Sequence, residues 1–488
     1  MESSKKIVWY NLAFMAFSTV WGFGNVLNGY MYFNGVQVIF SWVLMFALYF
    51  VPYALMVGEL GSAFKNSGGG VSSWIHETIS PKFAYYAGWT YWACHVTYIA
   101  SKGSGGLKAL SWMVFQNSET YASFDTRLVQ LATLGVFLLF CWIASKGLNP
   151  LKKLATLAGT SMFVMSILYI IMMFAAPAIN PGGGYLHADF SWSNLIPQFD
   201  TKYFTSLSIL VFAVGGCEKI SPYVNKVENP SKGFPKGMIA LAIMVMVCAI
   251  LGTVAMGMMF DPADIANNFD AYNANGSYWA FQKLGEYYGM GNILMIIYAA
   301  CNAIGQFSTL VISIDAPLRM LLDNEDARQF IPTKLLKQNK YGAYVNGIWM
   351  VVILSGSIIL IQALVPSADT VLRQLTQLNS VTMPMRYLWV FLAYIMLRKK
   401  IKKFNPEYKF VKNQKVAYFF GFWCFFVTAF CCILGMYKEG DLFTTLLNVI
   451  TPIVLTALGV DSANDQKTRK NKCLKQKRQD SDILSFTI

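Results

Sequence analysis

The sequence predicts an all-α protein that crosses a membrane many times. Of its 488 residues 55% are hydrophobic and only 13% are charged, and the mean hydropathy is +0.44. Apolar runs almost free of ionisable residues recur along the chain, for example at 36–58 and 238–259. A helix needs about 20 residues to cross a bilayer core of about 30 Å, and a helix satisfies its own backbone in lipid. These runs therefore predict spanning helices.

Twelve spans can be placed, and they are numbered here in chain order. Their predicted limits are 8–32, 36–58, 83–115, 127–146, 151–176, 202–224, 236–260, 288–318, 343–365, 370–397, 415–436 and 442–460. They predict one transmembrane domain at 1–460, with spans 1–5 at 8–176, spans 6–10 at 202–397 and spans 11–12 at 415–460. A basic cytoplasmic tail is predicted at 461–488, and a short helix lying on the outer face is predicted at Tyr278–Leu284, between spans 7 and 8. The first span is too long for a signal peptide, and no cleavage motif closes it.

The excess of 14 positive charges is unevenly distributed along the chain. With twelve spans, Lys and Arg gather in loops on the same side as the N-terminus, such as 319–340 and 398–415, while the opposite loops carry acidic residues such as Asp264. A Lys/Arg bias in short loops marks the cytoplasmic side. We therefore predict a multi-pass protein of the cytoplasmic membrane with both termini in the cytoplasm, and no nucleic-acid partner.

Two spans are interrupted by glycine, about 190 residues apart. Span 1 contains Gly22 and Gly24, and span 6 contains Gly215 and Gly216. Breaks inside a membrane are tolerated only where they line a cavity or are buried in protein, and breaks in corresponding positions of two halves indicate a transporter binding site. Either break alone is also compatible with a packing notch between close helices.

The two breaks favour opposite charges. Unwinding in span 1 exposes N–H groups at the start of a half-helix, where the helix dipole attracts a carboxylate, and Asn25 can add its amide. The first half of span 6 ends in carbonyls, which favour a cation such as an α-ammonium group. The predicted ligand is therefore a zwitterion near the bilayer midplane.

Several motifs resemble the amino acid–polyamine–organocation superfamily, and they occur in the family's order. They are Glu59-Leu60-Gly61 with Gly68-Gly69-Gly70-Val71, Gly215-Gly216-Cys217-Glu218 with Glu228-Asn229-Pro230 and Phe234-Pro235-Lys236-Gly237, and Asp315-Ala316-Pro317-Leu318-Arg319 with Ile331-Pro332. The resemblance covers spans 1 to 12, and it is closest to the bacterial glutamate/GABA antiporter group and its uncharacterised permease relatives.

This resemblance implies a fold and a substrate site. It implies a LeuT-like five-plus-five inverted repeat of spans 1–5 and 6–10, with spans 11 and 12 added outside. The ligand carboxylate would meet Gly22, Phe23 and Gly24, and the ammonium would meet carbonyls near Phe212, Ala213 and Val214. The substrate side chain would point towards spans 3, 6, 8 and 10.

The chain also departs from the family pattern. Phe23 replaces a small residue and forms either a wall or a constriction. Several relatives carry a lysine in the middle of span 5, where this chain has no ionisable residue between Ala155 and Met173, and Met165 falls near that position. This puts a lysine-based proton mechanism in doubt.

Polar residues inside spans are functional hypotheses. The candidates for coupling or gating are Glu218, Lys102, Asn302, Gln306 and Arg373. Each has a structural alternative: a hydrogen bond to unwound backbone for Glu218, snorkelling for Lys102, a pair with Asp369 for Arg373, and an interhelical hydrogen bond for Asn302 and Gln306, which share a face. Snorkelling is also predicted for Lys219, and His95 is predicted to be a packing residue.

The sequence contains no nucleotide loop, haem signature or nucleophile elbow, so we predict no enzyme and no cofactor. The nine cysteines show no metal-ligand spacing, and no metal site is predicted. The predicted function is secondary active transport of amino acids or related amines by alternating access. Its partners would be a small-molecule substrate and the lipid bilayer, with proton coupling or exchange both open. The alternatives are an amino acid/decarboxylated amine antiporter of the glutamate/GABA type, a transport-dead nutrient sensor and a channel.

Overall fold

The computed structural model describes residues 6–186, 189–323, 327–365 and 379–459. In these ranges the regular structure is helical, and extended backbone pairs only at the isolated bridges Ile7–Val227 and Gln338–Tyr344. The twelve spans are formed by Trp9–Val20 and Gly24–Tyr32 (span 1), Val38–Met45, Phe46–Phe50 and Val51–Ala63 (span 2), Pro81–Phe115 (span 3), Thr126–Ala144 (span 4), Leu148–Ile179 (span 5), Thr201–Val214 and Cys217–Lys226 (span 6), Pro230–Gly257 (span 7), Ile293–Leu322 (span 8), Val345–Leu364 (span 9), Asn379–Met385 and Tyr387–Lys399 (span 10), Gln414–Met436 (span 11) and Leu442–Gly459 (span 12).

Shorter helices connect the spans. They are Gly35–Gln37, Val71–Thr78, Glu119–Ser123, Trp192–Leu195, Pro262–Asn267, Phe269–Tyr287, Ala327–Phe330, Thr333–Leu336 and Ile401–Phe404. The predicted start of span 10 at 370–378 and the predicted tail at 461–488 lie outside the described residues.

Nine helices within the described residues are long and apolar enough to cross a membrane. They coincide with spans 2, 4 to 9, 11 and 12. Span 1 does not qualify because it is divided into two short helices, span 3 carries more polar residues, and span 10 is only partly described. The predicted all-α, polytopic membrane fold is confirmed.

Small residues bring the spans close together around the broken helices. A Cβ on Gly88 of span 3 would lie 2.7 Å from the carbonyl oxygen of Met320 in span 8, and one on Gly159 of span 5 would collide with the carbonyl of Phe14 in span 1. Glycine allows such close backbone approach between helices in lipid. Span 1 is therefore held in the centre, with spans 5, 7 and 8 packed around it.

The N-terminal segment closes the molecule beneath span 6. The amide of Ile7 donates to the carbonyl of Lys226 at 2.8 Å, and the amide of Glu228 donates to the carbonyl of Ile7 at 2.8 Å. Above this bridge, the Tyr223 hydroxyl donates to Asp315 Oδ2 of span 8 at 2.7 Å. These bonds join the inner half of span 6 to spans 1 and 8.

A buried ion pair joins spans 2 and 10. Arg398 donates to Glu59, and both residues are almost fully buried. The amide of Phe410 also donates to Glu59 Oε2 at 2.8 Å, so the loop after span 10 is bound to the same carboxylate. Two buried opposite charges with these bonds fix how span 10 packs against span 2.

The connection between spans 7 and 8 differs from its prediction. The sequence suggested a short helix over Tyr278–Leu284 that lies on the outer face. The structure has a longer helix, Phe269–Tyr287, in which Tyr278, Phe281 and Leu284 are buried. Its apolar side packs on spans 1 and 8, because the gap above the broken span 1 leaves room for it.

Candidate functional site

Span 1 unwinds at the predicted glycines. Its first helix ends at Val20, Trp21 is extended with φ −124° and ψ 137°, and helix resumes at Gly24. The amide of Asn25 bonds to the carbonyl of Gly22 at 2.9 Å, which closes a tight turn. The N–H groups of Gly22, Phe23 and Gly24 precede the new helix and have no helical partner one turn earlier, so they are available to an anion.

Span 6 unwinds at Gly215 and Gly216. Its first helix ends at Val214, and Gly216 has φ +105°, a backbone conformation that side chains rarely adopt. The chain then continues as the buried 3₁₀ helix Cys217–Lys226. A Cβ on Gly215 would collide with the ring of Tyr387 in span 10, so this glycine is required by packing as well.

The two breaks lie side by side. Asn25 Nδ2 donates to the carbonyl of Ala213 at 3.1 Å, and Thr19 Oγ1 donates to the carbonyl of Gly216 at 3.4 Å. Asn25 therefore connects the start of one half-helix to the end of the other. This proximity is what a zwitterion-binding pair of breaks requires.

A cavity of about 470 Å³ opens at the breaks. Span 8 and the helix Phe269–Tyr287 complete its wall together with spans 3, 5 and 10. Ten of the residues predicted to bind substrate or to act in coupling or gating line it: Gly22, Phe23, Gly24, Asn25, Phe212, Gly215, Gly216, Lys102, Asn302 and Gln306.

The remaining predicted residues lie elsewhere. The carbonyl of Ala213 is occupied by Asn25, and Val214 is fully buried in the helix end, so neither belongs to the cavity wall. Glu218 lies behind the wall. Arg373 lies outside the described residues.

Four cationic side chains line the cavity, and no carboxylate does among the described residues. They are Lys102, Lys108, Lys219 and Arg386. Such a wall is costly in a low-dielectric interior unless an anion is present. The wall of the cavity is therefore basic, with Glu218 behind it as the counter-charge of Arg386.

Two of the lysines share an aromatic partner. The ammonium nitrogens of Lys102 and Lys219 lie 4.6 Å and 5.0 Å from the centre of the Tyr98 ring. Lys219 is buried and donates to Ser313 Oγ of span 8 at 2.7 Å. The expectation that Lys219 snorkels to the membrane surface is therefore wrong, because the 3₁₀ segment holds it inside the helix bundle.

Arg386 connects the cavity to a buried polar cluster. Its Nε lies 3.5 Å from Glu218 Oε1, and its Nη1 donates to His95 Nε2 at 3.0 Å. His95 Nδ1 lies 2.6 Å from the carbonyl of Tyr91, so that nitrogen carries the proton and Nε2 accepts. The Tyr53 hydroxyl donates to the other oxygen of Glu218. Arg386 is thus held in a fixed position with one side towards the cavity.

Aromatic rings close the cavity next to the break in span 1. The ring centre of Phe23 lies 4.7 Å from that of Tyr169 and 4.9 Å from that of Phe281, which stacks on Tyr298 at 4.3 Å. Phe23 itself is 1% exposed. Phe23 therefore forms part of the cavity wall, and the helix Phe269–Tyr287 packs against it.

Asn302 and Gln306 share a face of span 8, as predicted. Gln306 Nε2 lies 3.4 Å from Asn302 Oδ1, and Asn302 Nδ2 donates to the Tyr278 hydroxyl at 3.0 Å. Tyr278 also belongs to the cavity wall. These side chains join span 8 to the helix Phe269–Tyr287 and present polar groups to the cavity.

The sequence reasoning left several wall residues out of the site. The cavity wall also contains residues that were not among the candidates: Arg386, Lys108, Tyr98, and Asn273, Ala274, Ser277 and Tyr278 of the helix Phe269–Tyr287. The charges were visible, because an ionisable residue in a span is a functional signal. Which of these side chains point into the cavity depends on how the spans pack, including the kinked path of spans 6 and 10. The periodicity of the sequence does not give this path. Among the described residues, no group of three His, Cys, Asp or Glu side chains is arranged to hold a metal.

Comparison with known proteins agrees with this architecture. A family profile described as amino acid permease matches residues 7–458. The aspartate/glutamate permease AcaP of Lactococcus lactis subsp. cremoris is 47% identical over 467 residues, which cover 94% of each chain. The inner membrane transporter YjeM of Salmonella typhimurium is 23% identical over 93% of this chain and 95% of its own.

A relative named for antiport also matches. The glutamate/gamma-aminobutyrate antiporter of Lactococcus lactis subsp. lactis is 22% identical over 47% of this chain and 45% of its own. The profile match includes both breaks and extends from span 1 into span 12. The chain therefore belongs to the amino acid permease family, and it is a multi-pass membrane protein that transports amino acids.

Proposed function

We propose that this permease carries acidic amino acids, L-aspartate or L-glutamate. The observation that carries the proposal is the charge of the cavity wall, which has four cations and no carboxylate among its described residues. An acidic amino acid brings two carboxylates and one ammonium group at neutral pH. Its net negative charge offsets part of the positive charge of the wall.

The two breaks suit the α-carboxylate and the α-ammonium group that all amino acids share. The N–H groups of Gly22, Phe23 and Gly24 point to the α-carboxylate, and the start of the helix at Gly24 adds its dipole. The helix end at Val214 offers carbonyl groups near Phe212 to the α-ammonium group. This arrangement binds the zwitterion and leaves the side chain to select the substrate.

The cationic residues suit the second carboxylate. Arg386 is held by Glu218 and His95, so its guanidinium is ordered before the ligand arrives. A planar guanidinium can bind a carboxylate through two parallel hydrogen bonds. Lys219 and Lys102 lie on the neighbouring side of the wall, around Tyr98. Together they favour aspartate or glutamate over glutamine or asparagine.

The charge of the ligand also distinguishes transport of acidic amino acids from exchange of amines. A diamine such as putrescine adds two positive charges to a wall of basic side chains, and GABA adds no net charge. The cavity therefore favours neither as much as glutamate. The name of the relative AcaP, an aspartate/glutamate permease, agrees with this ordering.

The molecule is closed on one side of the two breaks, which agrees with a cycle of alternating access around them. The bridge of Ile7 with Val227 and the bond from Tyr223 to Asp315 close the path below the breaks. The Lys/Arg bias assigns that side to the cytoplasm. We infer that both termini are cytoplasmic, that the cavity loads from outside, and that these inner contacts open after substrate is enclosed.

Uptake of labelled L-glutamate into proteoliposomes tests the substrate. Excess L-aspartate should abolish uptake, while L-glutamine, GABA and putrescine at the same concentration should leave most of it. Unlabelled glutamate inside the vesicles should accelerate entry of label if exchange is part of the cycle. Equal competition by GABA or putrescine would overturn the proposal in favour of amine antiport. Glutamate binding without flux would identify a sensor.

A further inference from the structure

A second cavity, which we call the lateral cavity, lies between spans 3, 10, 11 and 12. Its volume is about 320 Å³. Its wall is largely apolar and includes Ala93 of span 3, Leu388 and Leu392 of span 10, Phe425 of span 11 and Leu455 of span 12. No role in the binding of amino acids requires it.

Apart from the guanidinium of Arg386, which pairs with Glu218, the side chains of Trp389, Thr90, Cys94 and Thr456 in this wall are hydrogen-bonded inside the protein. Trp389 Nε1 donates to Thr90 Oγ1 at 2.9 Å, and that hydroxyl donates to the carbonyl of Tyr86 at 2.9 Å. The Cys94 thiol bonds to the carbonyl of Thr382 at 3.6 Å, and the Thr456 hydroxyl donates to the carbonyl of Pro452 at 2.8 Å. A cavity without free polar partners does not retain water well, so an apolar occupant suits it.

The lateral cavity faces the lipid side of the molecule. Leu388, Leu392, Phe425 and Leu455 are partly exposed, and Thr456 is exposed. Beside them, span 12 presents bare apolar side chains, with Ile453 62% exposed. In a multi-pass membrane protein, lipid chains cover such surfaces.

Hydrogen bonds join span 12 to span 3 beside the opening. Trp89 Nε1 of span 3 donates to the carbonyl of Leu455 at 2.8 Å, and the Tyr85 hydroxyl donates to the carbonyl of Gly459 at 3.2 Å. These bonds hold span 12 beside span 3 and leave a gap next to span 10. The gap connects the lateral cavity with the surrounding hydrocarbon.

We propose that the lateral cavity binds one acyl chain of a bilayer lipid. The chain enters between spans 10 and 12 and packs against Ala93 and Leu392. Its driving force is dispersion and the filling of a void, since both the bilayer and the cavity are apolar. A chain in this place supports span 12, which otherwise contributes few buried side chains.

Arg386 links this lipid site to the central cavity. It belongs to the wall of both cavities, and its guanidinium is engaged by His95, Met383 and Glu218, which lie outside the lateral wall. A seated acyl chain keeps the lateral side of Arg386 dry and fixes its stem. Only this link depends on the proposed substrate; the lipid site itself does not.

Photocrosslinking in nanodiscs tests the lipid site without a transport assay. The full-length protein is reconstituted in phosphatidylglycerol with a fraction of molecules that carry a diazirine in the acyl chain, irradiated and mapped by mass spectrometry. We expect adducts on Leu388, Leu392 and Phe425, in addition to adducts on the openly exposed Ile453. The adducts on Ile453 show that labelling has worked in each sample.

Two neighbouring substitutions make the test specific. Thr456→Phe places a ring at the opening and should reduce adducts inside the lateral cavity at least about fivefold. Ala457→Phe, at an exposed residue outside the lateral wall, should leave them unchanged. The proposal is overturned if adducts form on Ile453 but not on the lateral wall, or if the two variants label the wall equally. Size-exclusion profiles show whether both variants are folded.

Discussion

At the scale of single residues, the charges that line the central cavity determine what it can bind. Lys219 and Arg386 are 2% and 3% exposed, so their charges act in a medium that screens them little. Arg386 has Glu218 as a counter-charge, whereas Lys219 donates to the neutral hydroxyl of Ser313. Lys102 and Lys108 line the same wall, which has no carboxylate among its described residues, so the wall is basic and suits an acidic ligand.

Gly24 offers the simplest test of the site at this scale. A Cβ on Gly24 would lie 3.6 Å from Ser277 Oγ across the cavity, which is ordinary contact. Gly24→Ala should therefore keep most of the uptake, while the branched chain of Gly24→Leu should fill the ligand space and abolish it. Both variants should insert normally, since leucine favours a spanning helix. Uptake in proteoliposomes at equal protein content provides the measurement, and wild-type uptake by Gly24→Leu would exclude this part of the site.

We propose Glu218 as the candidate carrier of a coupled proton. It is fully buried, and its Oε1 makes no hydrogen bond within the described residues, although Arg386 lies 3.5 Å away. A substrate carboxylate that attracts Arg386 would weaken this pair and leave the Glu218 carboxylate without its counter-charge. We expect Glu218→Gln to keep glutamate counterflow and to lose uptake driven by a pH gradient.

Tyr53→Phe is the matched control for Glu218. It removes the hydrogen bond to the same carboxylate but leaves the charge. Uptake driven by a pH gradient should survive in Tyr53→Phe. Loss of both counterflow and pH-driven uptake in Glu218→Gln would assign Glu218 a structural role, and unchanged pH-driven uptake would exclude it as the proton carrier.

At the scale of elements, the two broken helices could be predicted, but the wall around them could not. Glycine pairs inside apolar runs free backbone groups that lipid cannot satisfy, so the breaks at Gly22–Gly24 and Gly215–Gly216 were visible in the sequence. Of the helix Phe269–Tyr287 only the part at Tyr278–Leu284 was predicted, and it was placed on the outer face because the segment has a mixed polar composition. Its burial depends on a gap that exists only once the spans have packed.

The packing of span 10 depends on the buried pair of Arg398 and Glu59. Arg398→Met leaves the Glu59 carboxylate buried without its counter-charge, which should cost about 3–5 kcal/mol of stability. The exposed pair of Lys65 and Glu407, joined at 2.8 Å, is the control, and Lys65→Met should change stability little. Thermal unfolding in detergent measures both. Equal shifts of the unfolding midpoint would contradict the assigned importance of the buried pair.

At the scale of the whole molecule, orientation follows from the loops. Cysteines introduced at two exposed positions can report this orientation. One position is Lys402, in the basic stretch after span 10, and the other is Asp264, near the helix Phe269–Tyr287. In intact cells, a cysteine at Asp264 should react with a membrane-impermeant reagent and one at Lys402 should not. The unmodified protein provides the background of its own cysteines. Labelling at Lys402 from outside would overturn the proposed cytoplasmic termini.

Sequence patterns predicted the spans, the breaks and ten residues of the central wall. They did not identify Arg386 as a wall residue, because its orientation depends on the turn between the helices Asn379–Met385 and Tyr387–Lys399. They also included Ala213 and Val214, whose backbone is used by Asn25 and by helix packing. Long-range packing, rather than local pattern, decides these cases.

The central claim is that the cavity selects a second carboxylate. Calorimetric titration of the purified protein with L-glutamate and L-glutamine tests it most directly, because the two ligands differ little except in that charge. A hydrogen bond to a charged group contributes about 1.5–3 kcal/mol, so glutamate should bind at least about tenfold more tightly. Glutamine affinity equal to or higher than that for glutamate would contradict the account.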